Sequence, residues 1–185
     1  PELKVAAGSY SYAPWLVANL TLSRFPDDRA GAPPAWDNVL YESPGLGYVV
    51  ATHQHLRAWR GPTVLTYYRA LDEVSPQQGR EALRDAAREV WAEQILADLE
   101  RPHPDIRQLT TRLDVFRNGH AMARPVPGLI SGAARRRFAV DGTNLRFAHA
   151  DVSGFSLFEE AQYRGVLAAE RTLRRLGARF TSSLA

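Results

Sequence analysis

The sequence predicts an α+β fold in which a mixed or antiparallel sheet is flanked by helices. Three observations carry this expectation. Three β-rich segments lie close together between residues 15 and 71, divided by proline and glycine breaks, which favours antiparallel neighbours. One long amphipathic stretch follows, with apolar residues at helical spacing. A short strand then leads through a glycine-containing turn into a second long helix near residue 176.

Taken in order, Trp15–Leu22 (WLVANLTL) reads as the first strand. Phe25–Trp36 holds Pro26, Asp27, Asp28, Gly31, Pro33 and Pro34, the composition of a loop. Val39–Tyr41, Leu46–Thr52 and Pro62–Leu71 read as further strands, the first broken by Ser43-Pro44-Gly45. Gly79–Glu100 reads as one helix whose apolar face is Leu83, Ala87, Val90, Trp91, Ile95 and Leu99. Pro102 and Pro104 end it. Ile106–Phe116 alternates like a strand, and Asn118-Gly119 marks a turn after it. Pro125–Gly132 is irregular. Asn144–Ala150 (NLRFAHA) reads as a short strand, Asp151–Phe155 as a turn and Ser156–Leu176 as a long helix. Ser156 and Glu159 have the spacing of a capping box. Ala161, Gly165 and Ala169 recur every four residues down this helix. A glycine costs about 1 kcal/mol there relative to alanine, so Gly165 predicts a close backbone approach.

Composition narrows the chemistry. The chain has 185 residues, 45% hydrophobic and 23% charged, the balance of a folded domain. It has no cysteine, which excludes disulfides, thiolate nucleophiles and cysteine-bound metals or clusters. No run of about 18 apolar residues predicts a membrane span. Net charge is +3, and every basic residue except Lys4 is arginine. The dense cluster, Arg135-Arg136-Arg137, reads as a solvated loop before a strand, so no nucleic-acid partner is expected.

Motif candidates are few. His53-Gln54-His55 could place two imidazoles on one strand face, but metal binding needs further ligands. Gly128-Leu129-Ile130-Ser131-Gly132 has GxxSG spacing and not that of a nucleophile elbow. Asn19-Leu20-Thr21 is a glycosylation sequon inside an apolar strand. Neither GxGxxG nor GxxxxGK[ST] occurs. The turn and helix after residue 150 are more informative. Unpaired amides at 157–160, with the helix dipole, favour developing negative charge. Glu159 and Glu160 disfavour a bare phosphate there, so a polarisable carbonyl suits the position better.

These residues resemble a known family. Phe147-Ala148-His149-Ala150-Asp151, Ser153-Gly154-Phe155, Glu159-Glu160-Ala161, Gly165 and Ala168-Ala169-Glu170 are similar to the C-terminal segment of flavin-containing amine oxidoreductases. That superfamily includes monoamine and polyamine oxidases, phytoene desaturases and protoporphyrinogen oxidases. Trp36–Tyr41, Gly45–Gln54 and Gly119–Pro125 look like the substrate domain of a bacterial branch. His149 and Glu160 depart from the pattern, each standing where the family has glycine.

The resemblance implies that the chain is the C-terminal portion of a longer FAD-dependent oxidoreductase. Residues 1–135 would then be substrate-domain, and 136–185 the closing strand and helix of an FAD-binding domain whose Gly-rich part lies upstream. It implies non-covalent FAD, with Asp151 near the pyrophosphate and ribityl region. Phe158, Glu159, Glu160 and Ala161 would open the helix that faces the flavin pyrimidine ring. It implies a small-molecule substrate, an amine or a related compound, oxidised by hydride transfer to the flavin. Tyr48, Tyr67, Tyr68 and Phe116 are candidate cavity aromatics. The alternative is a non-catalytic ligand- or protein-binding α+β module. Oligomeric state stays open, a homodimer included.

Overall fold

A computed structural model describes residues 2–27, 31, 33, 35–54, 61–139 and 144–184. The elements in chain order are α1 (Glu2–Gly8), β1 (Tyr12–Leu22), β2 (Asp37–Val39), β3 (Gly47–Val50), β4 (Thr63–Ala70), α2 (Pro76–Asp85), α3 (Arg88–Glu100), α4 (Ile106–Leu109), β5 (Thr110–Ala123), α5 (Ala133–Ala139) and α6 (Phe158–Arg175). Single 3₁₀ turns form at Ala51–Gln54 and Ala150–Val152. The class is α+β, as the sequence predicts. By contacts the chain divides into two compact units, Ala13–Ala121, and Pro1–Tyr12 with Met122–Ala185. Among the described residues no helix is long and apolar enough to cross a membrane.

The first unit is built on a five-stranded sheet of order β2-β3-β4-β1-β5. The β2–β3, β3–β4 and β4–β1 ladders are antiparallel. Alternation sets the faces of this sheet. Leu16, Ala18, Leu20 and Leu22 of β1 are buried, and their partners Leu65 and Tyr67 on β4 are buried with them. Val17, Asn19 and Thr21 point to the other face, opposite Tyr68, Thr66 and Val64. There Thr66 Oγ1 donates to Asn19 Oδ1 at 2.9 Å, so the sequon asparagine is part of the sheet. The core is completed by Leu83 from α2, Trp91, Ile95 and Leu99 from α3, and Ile106 and Leu109 from α4.

Several boundaries differ from the expectation. The helix expected over 79–100 is two helices. It begins earlier, at Pro76, because Ser75 and Gln78 form a complete capping box with Pro76 in the first turn. It breaks at Ala86 and Ala87, both in extended backbone. The Arg117 guanidinium from β5 accounts for the break: it donates to the carbonyls of Leu83 at 3.0 Å and Ala86 at 3.2 Å. Val90, expected on the apolar face, is exposed, as is Ala87. Gly79 is buried, and a Cβ there would lie 2.5 Å from Pro14 Cγ, so α2 needs glycine to approach β1.

The strand expected over 106–116 is a helical turn followed by β5, which runs straight through Asn118-Gly119. Ladder pairing with β1 outweighs the local turn signal. Thr111 Oγ1 donates to the Thr21 carbonyl at 3.1 Å. The short strand expected at 39–41 forms instead at Asp37–Val39, in register with Gly47–Val49. Thr52 falls in the 3₁₀ turn and not in a strand. His53 and Gln54 close that turn, and His55 lies outside the described residues. On β5, Arg88 donates to the Leu113 carbonyl, and Arg80 lies beside Gly119.

In the second unit, Arg135–Arg137 form part of α5 and not a loop. Arg135 Nη1 donates to the Val152 carbonyl at 3.0 Å, Arg136 to the Ser131 carbonyl, and Arg137 pairs with Glu2 at 2.9 Å. The expected strand over Asn144–Ala150 does not form. A strand exists only through a ladder, and no described strand pairs with this segment.

Candidate functional site

The turn before α6 is assembled from short-range bonds. His149 is extended, and its Nδ1 accepts the Asp151 amide at 3.2 Å, opening the 3₁₀ turn Ala150–Val152. Gly154 follows at φ 82°, the left-handed region that favours glycine. Its amide reaches back to the carbonyls of Ala150 and Asp151. Ser153 is buried, and its hydroxyl accepts from Arg164 Nε at 2.7 Å. That bond ties the turn to the second turn of α6.

Asp151 lies at the wall of a cavity of about 260 Å³ that Tyr10, Tyr12, Phe138, Phe147 and His149 also line. Tyr12 Oη donates to Asp151 Oδ2 at 2.5 Å, and Tyr10 Oη donates to the Asp151 backbone carbonyl at 2.9 Å. The other carboxylate oxygen lies 3.3 Å from His149 Nδ1. Burial first, and then Asp151, push both phenols above the ordinary tyrosine range, so they remain protonated donors. The rings run in sequence. Tyr10 stacks on Tyr12 at 6.3 Å and meets Phe138 edge-on at 5.8 Å, and Phe138 meets Phe147 edge-on at 5.0 Å.

The entrance of α6 carries the other expected residues. Phe158, Glu159, Glu160 and Ala161 form its first turn. The expected cap does not form. Leu157 is the cap residue, without a side-chain bond. The Ser156 hydroxyl instead accepts the Ala123 amide at 3.0 Å. The first turn therefore has free amide donors, because helical geometry gives them no partner within the helix. Beside it Phe155, Leu157 and Phe158 are exposed, Phe158 at 75%. Glu159 is exposed and Glu160 half-buried. The close approach expected at Gly165 is not made, since a Cβ there would meet nothing within 4 Å. Ala161 and Ala169 on the same stripe are exposed.

The structure thus brings Asp151 together with Tyr10 and Tyr12, while Phe158, Glu159, Glu160 and Ala161 lie off that cavity's wall. Sequence reasoning missed both tyrosines. Their signal was the Tyr10-Ser11-Tyr12 spacing, which places two phenols on one side of extended chain. Phe147 was marked only as part of the 147–151 motif, and Phe138 carried no local signal.

In the sheet unit, the candidate aromatics have structural partners. Tyr67 is fully buried and donates to Asp98 Oδ2 at 2.9 Å, where Ser43 also donates at 2.5 Å. Tyr48 Oη lies 2.6 Å from Nε2 of the buried His103, and burial pushes its phenol up to about 12. Tyr68 donates to Asp37 at 2.5 Å, and Phe116 is exposed. Tyr48 and Tyr67 are therefore core residues. Among the described residues no group of three or more histidine or acidic side chains could hold a metal. No protein-family model matches the chain, and no curated protein matches it.

Proposed function

We propose that the chain contributes substrate-domain and flavin-contacting segments to an FAD-dependent oxidoreductase of the amine oxidase type. The observation that supports this most is the α6 entrance, an exposed apolar rim around helix amides that no side chain caps. The resemblance over residues 147–170 selects the same turn. The donor set fits the pyrimidine edge of a flavin. The edge presents a carbonyl oxygen, it becomes more negative on reduction, and amide donors hold it without a full counter-charge.

Bound flavin would supply the acceptor for a hydride equivalent from an amine or an activated C–H bond. Residues 158–160 would offer N–H groups aimed along the helix axis, where the dipole adds partial positive charge. Glu159 and Glu160, in the same turn, would disfavour a fully ionic ligand and so select a polarised carbonyl. Phe155, Leu157 and Phe158 would exclude water around those donors, which strengthens each of them. The complete open reading frame, purified with FAD present, should show the visible absorption of oxidised flavin. A folded but colourless protein after reconstitution would overturn the reading.

One observation favours the second reading, a binding module without chemistry of its own. The Asp151 cavity is lined by residues of this chain, with both tyrosines supplied by residues 10–12.

A further inference from the structure

The Asp151 cavity combines three features that together specify a ligand. Its volume, about 260 Å³, is below the ~300–1,000 Å³ of sites that take drug-sized molecules, so the occupant is small. Tyr10, Tyr12, Phe138 and Phe147 are four of its eight lining residues, and aromatic rings attract cations through their quadrupole. The half-buried Asp151 carboxylate is its acidic group. Burying a carboxylate without a counter-charge is costly. The nearby Arg135 guanidinium does not line the cavity, and it donates instead to the carbonyls of Ile130 and Val152.

We propose that this cavity binds an alkylated ammonium ion, with its charge beside Asp151 and its methyl groups against the four rings. A hydrated inorganic cation does not match these walls. One carboxylate supplies too few oxygen ligands for a divalent metal, and stripping water from a small ion onto aromatic carbon leaves it poorly solvated. A neutral apolar molecule would leave the carboxylate with only the Tyr12 hydroxyl and the His149 ring beside it. An alkylammonium satisfies both, because its charge is spread over methyl groups that pack as hydrocarbon. The inference uses none of the residues at the α6 entrance, and it gives Asp151 a role other than the contact near the FAD pyrophosphate that the resemblance implies.

The test titrates the chain with choline chloride, and separately with 3,3-dimethylbutan-1-ol, the neutral molecule of the same shape. Ionic strength is matched with sodium chloride, and the readout is NMR shifts of the Ala7 and Val152 amides, both on the cavity wall. Choline should give saturable shifts, and the alcohol should bind at least about tenfold more weakly. Asp151→Asn should weaken choline by a similar factor. If circular dichroism shows that this variant has lost its fold, Tyr10→Leu keeps the carboxylate, removes one ring and should weaken choline several-fold. Equal affinity for choline and the alcohol would identify a merely apolar hole and overturn the proposal. So would unsaturable shifts, or choline binding unchanged in a folded variant.

Discussion

At Glu170 a carboxylate only 4% exposed sits inside α6. It accepts from the Ser183 amide at 2.7 Å, from the Ser182 hydroxyl at 3.0 Å and from Arg174 at 2.9 Å. The chain after the helix is thereby fastened back onto it. The Ser183 amide, foremost among these donors, holds the carboxyl below its ordinary range. A depressed folded-state pKa stabilises the fold above the unfolded value, about 4.3 for glutamate. That contribution disappears as pH falls through the lower folded value. Thermal melts of wild type should therefore lose stability over that acidic window. Glu170→Gln should lower the neutral-pH midpoint and flatten the acidic slope, and a slope unchanged in this variant would show that other carboxylates set it. Asp98 is the counterpart in the sheet unit, held by Tyr67 and Ser43. Local sequence does not mark the burial of either carboxylate, because apart from Arg174 the partners named here lie 12 to 55 positions away.

Two glycines in helices make opposite demands at the scale of elements. A Cβ at Gly79 would meet the rigid ring of Pro14, which is itself fully buried, at 2.5 Å. A Cβ at Gly165 would meet nothing. Helix propensity alone favours alanine over glycine by about 1 kcal/mol at either site. Urea denaturation should therefore show Gly165→Ala more stable by about 0.5–1 kcal/mol and Gly79→Ala less stable, steric conflict outweighing propensity. The sequence carried the alternation of β1 and β4, and hence the core face, because one-sided burial writes period two into the residues. The Ser75-Pro76-Gln77-Gln78 signature was also present, although the apolar periodicity drew the helix start to Gly79. Three features were not legible. Arg117 breaks the α2–α3 run from another element. β5 passes through Asn118-Gly119 because β1 pairs alongside it. The segment 144–150 alternates like a strand with no described neighbour to pair with. The first two are decided by a partner distant in sequence, and the third by the lack of one among the described strands. The Asp151 turn was visible for the same reason in reverse, since its determinants lie within a few residues of one another.

At the scale of the whole molecule, the sheet order ends on β5, a strand of 14 residues. Outer strands present backbone donors and acceptors to any chain that drifts past. Arg88 occupies the Leu113 carbonyl on this strand, and Arg80 packs its stem against Gly119. A guanidinium discourages a foreign strand twice over, by taking the acceptor and by bringing a charge that must be dehydrated before pairing. Arg88→Ala removes both obstacles. Its light-scattering mass should climb with concentration under conditions where wild type stays constant, and equal behaviour would show that the strand is guarded elsewhere. Solubility then depends on the same guanidinium that helps seat a helix on the sheet, so a change made to loosen that helix would also invite fibre-like growth.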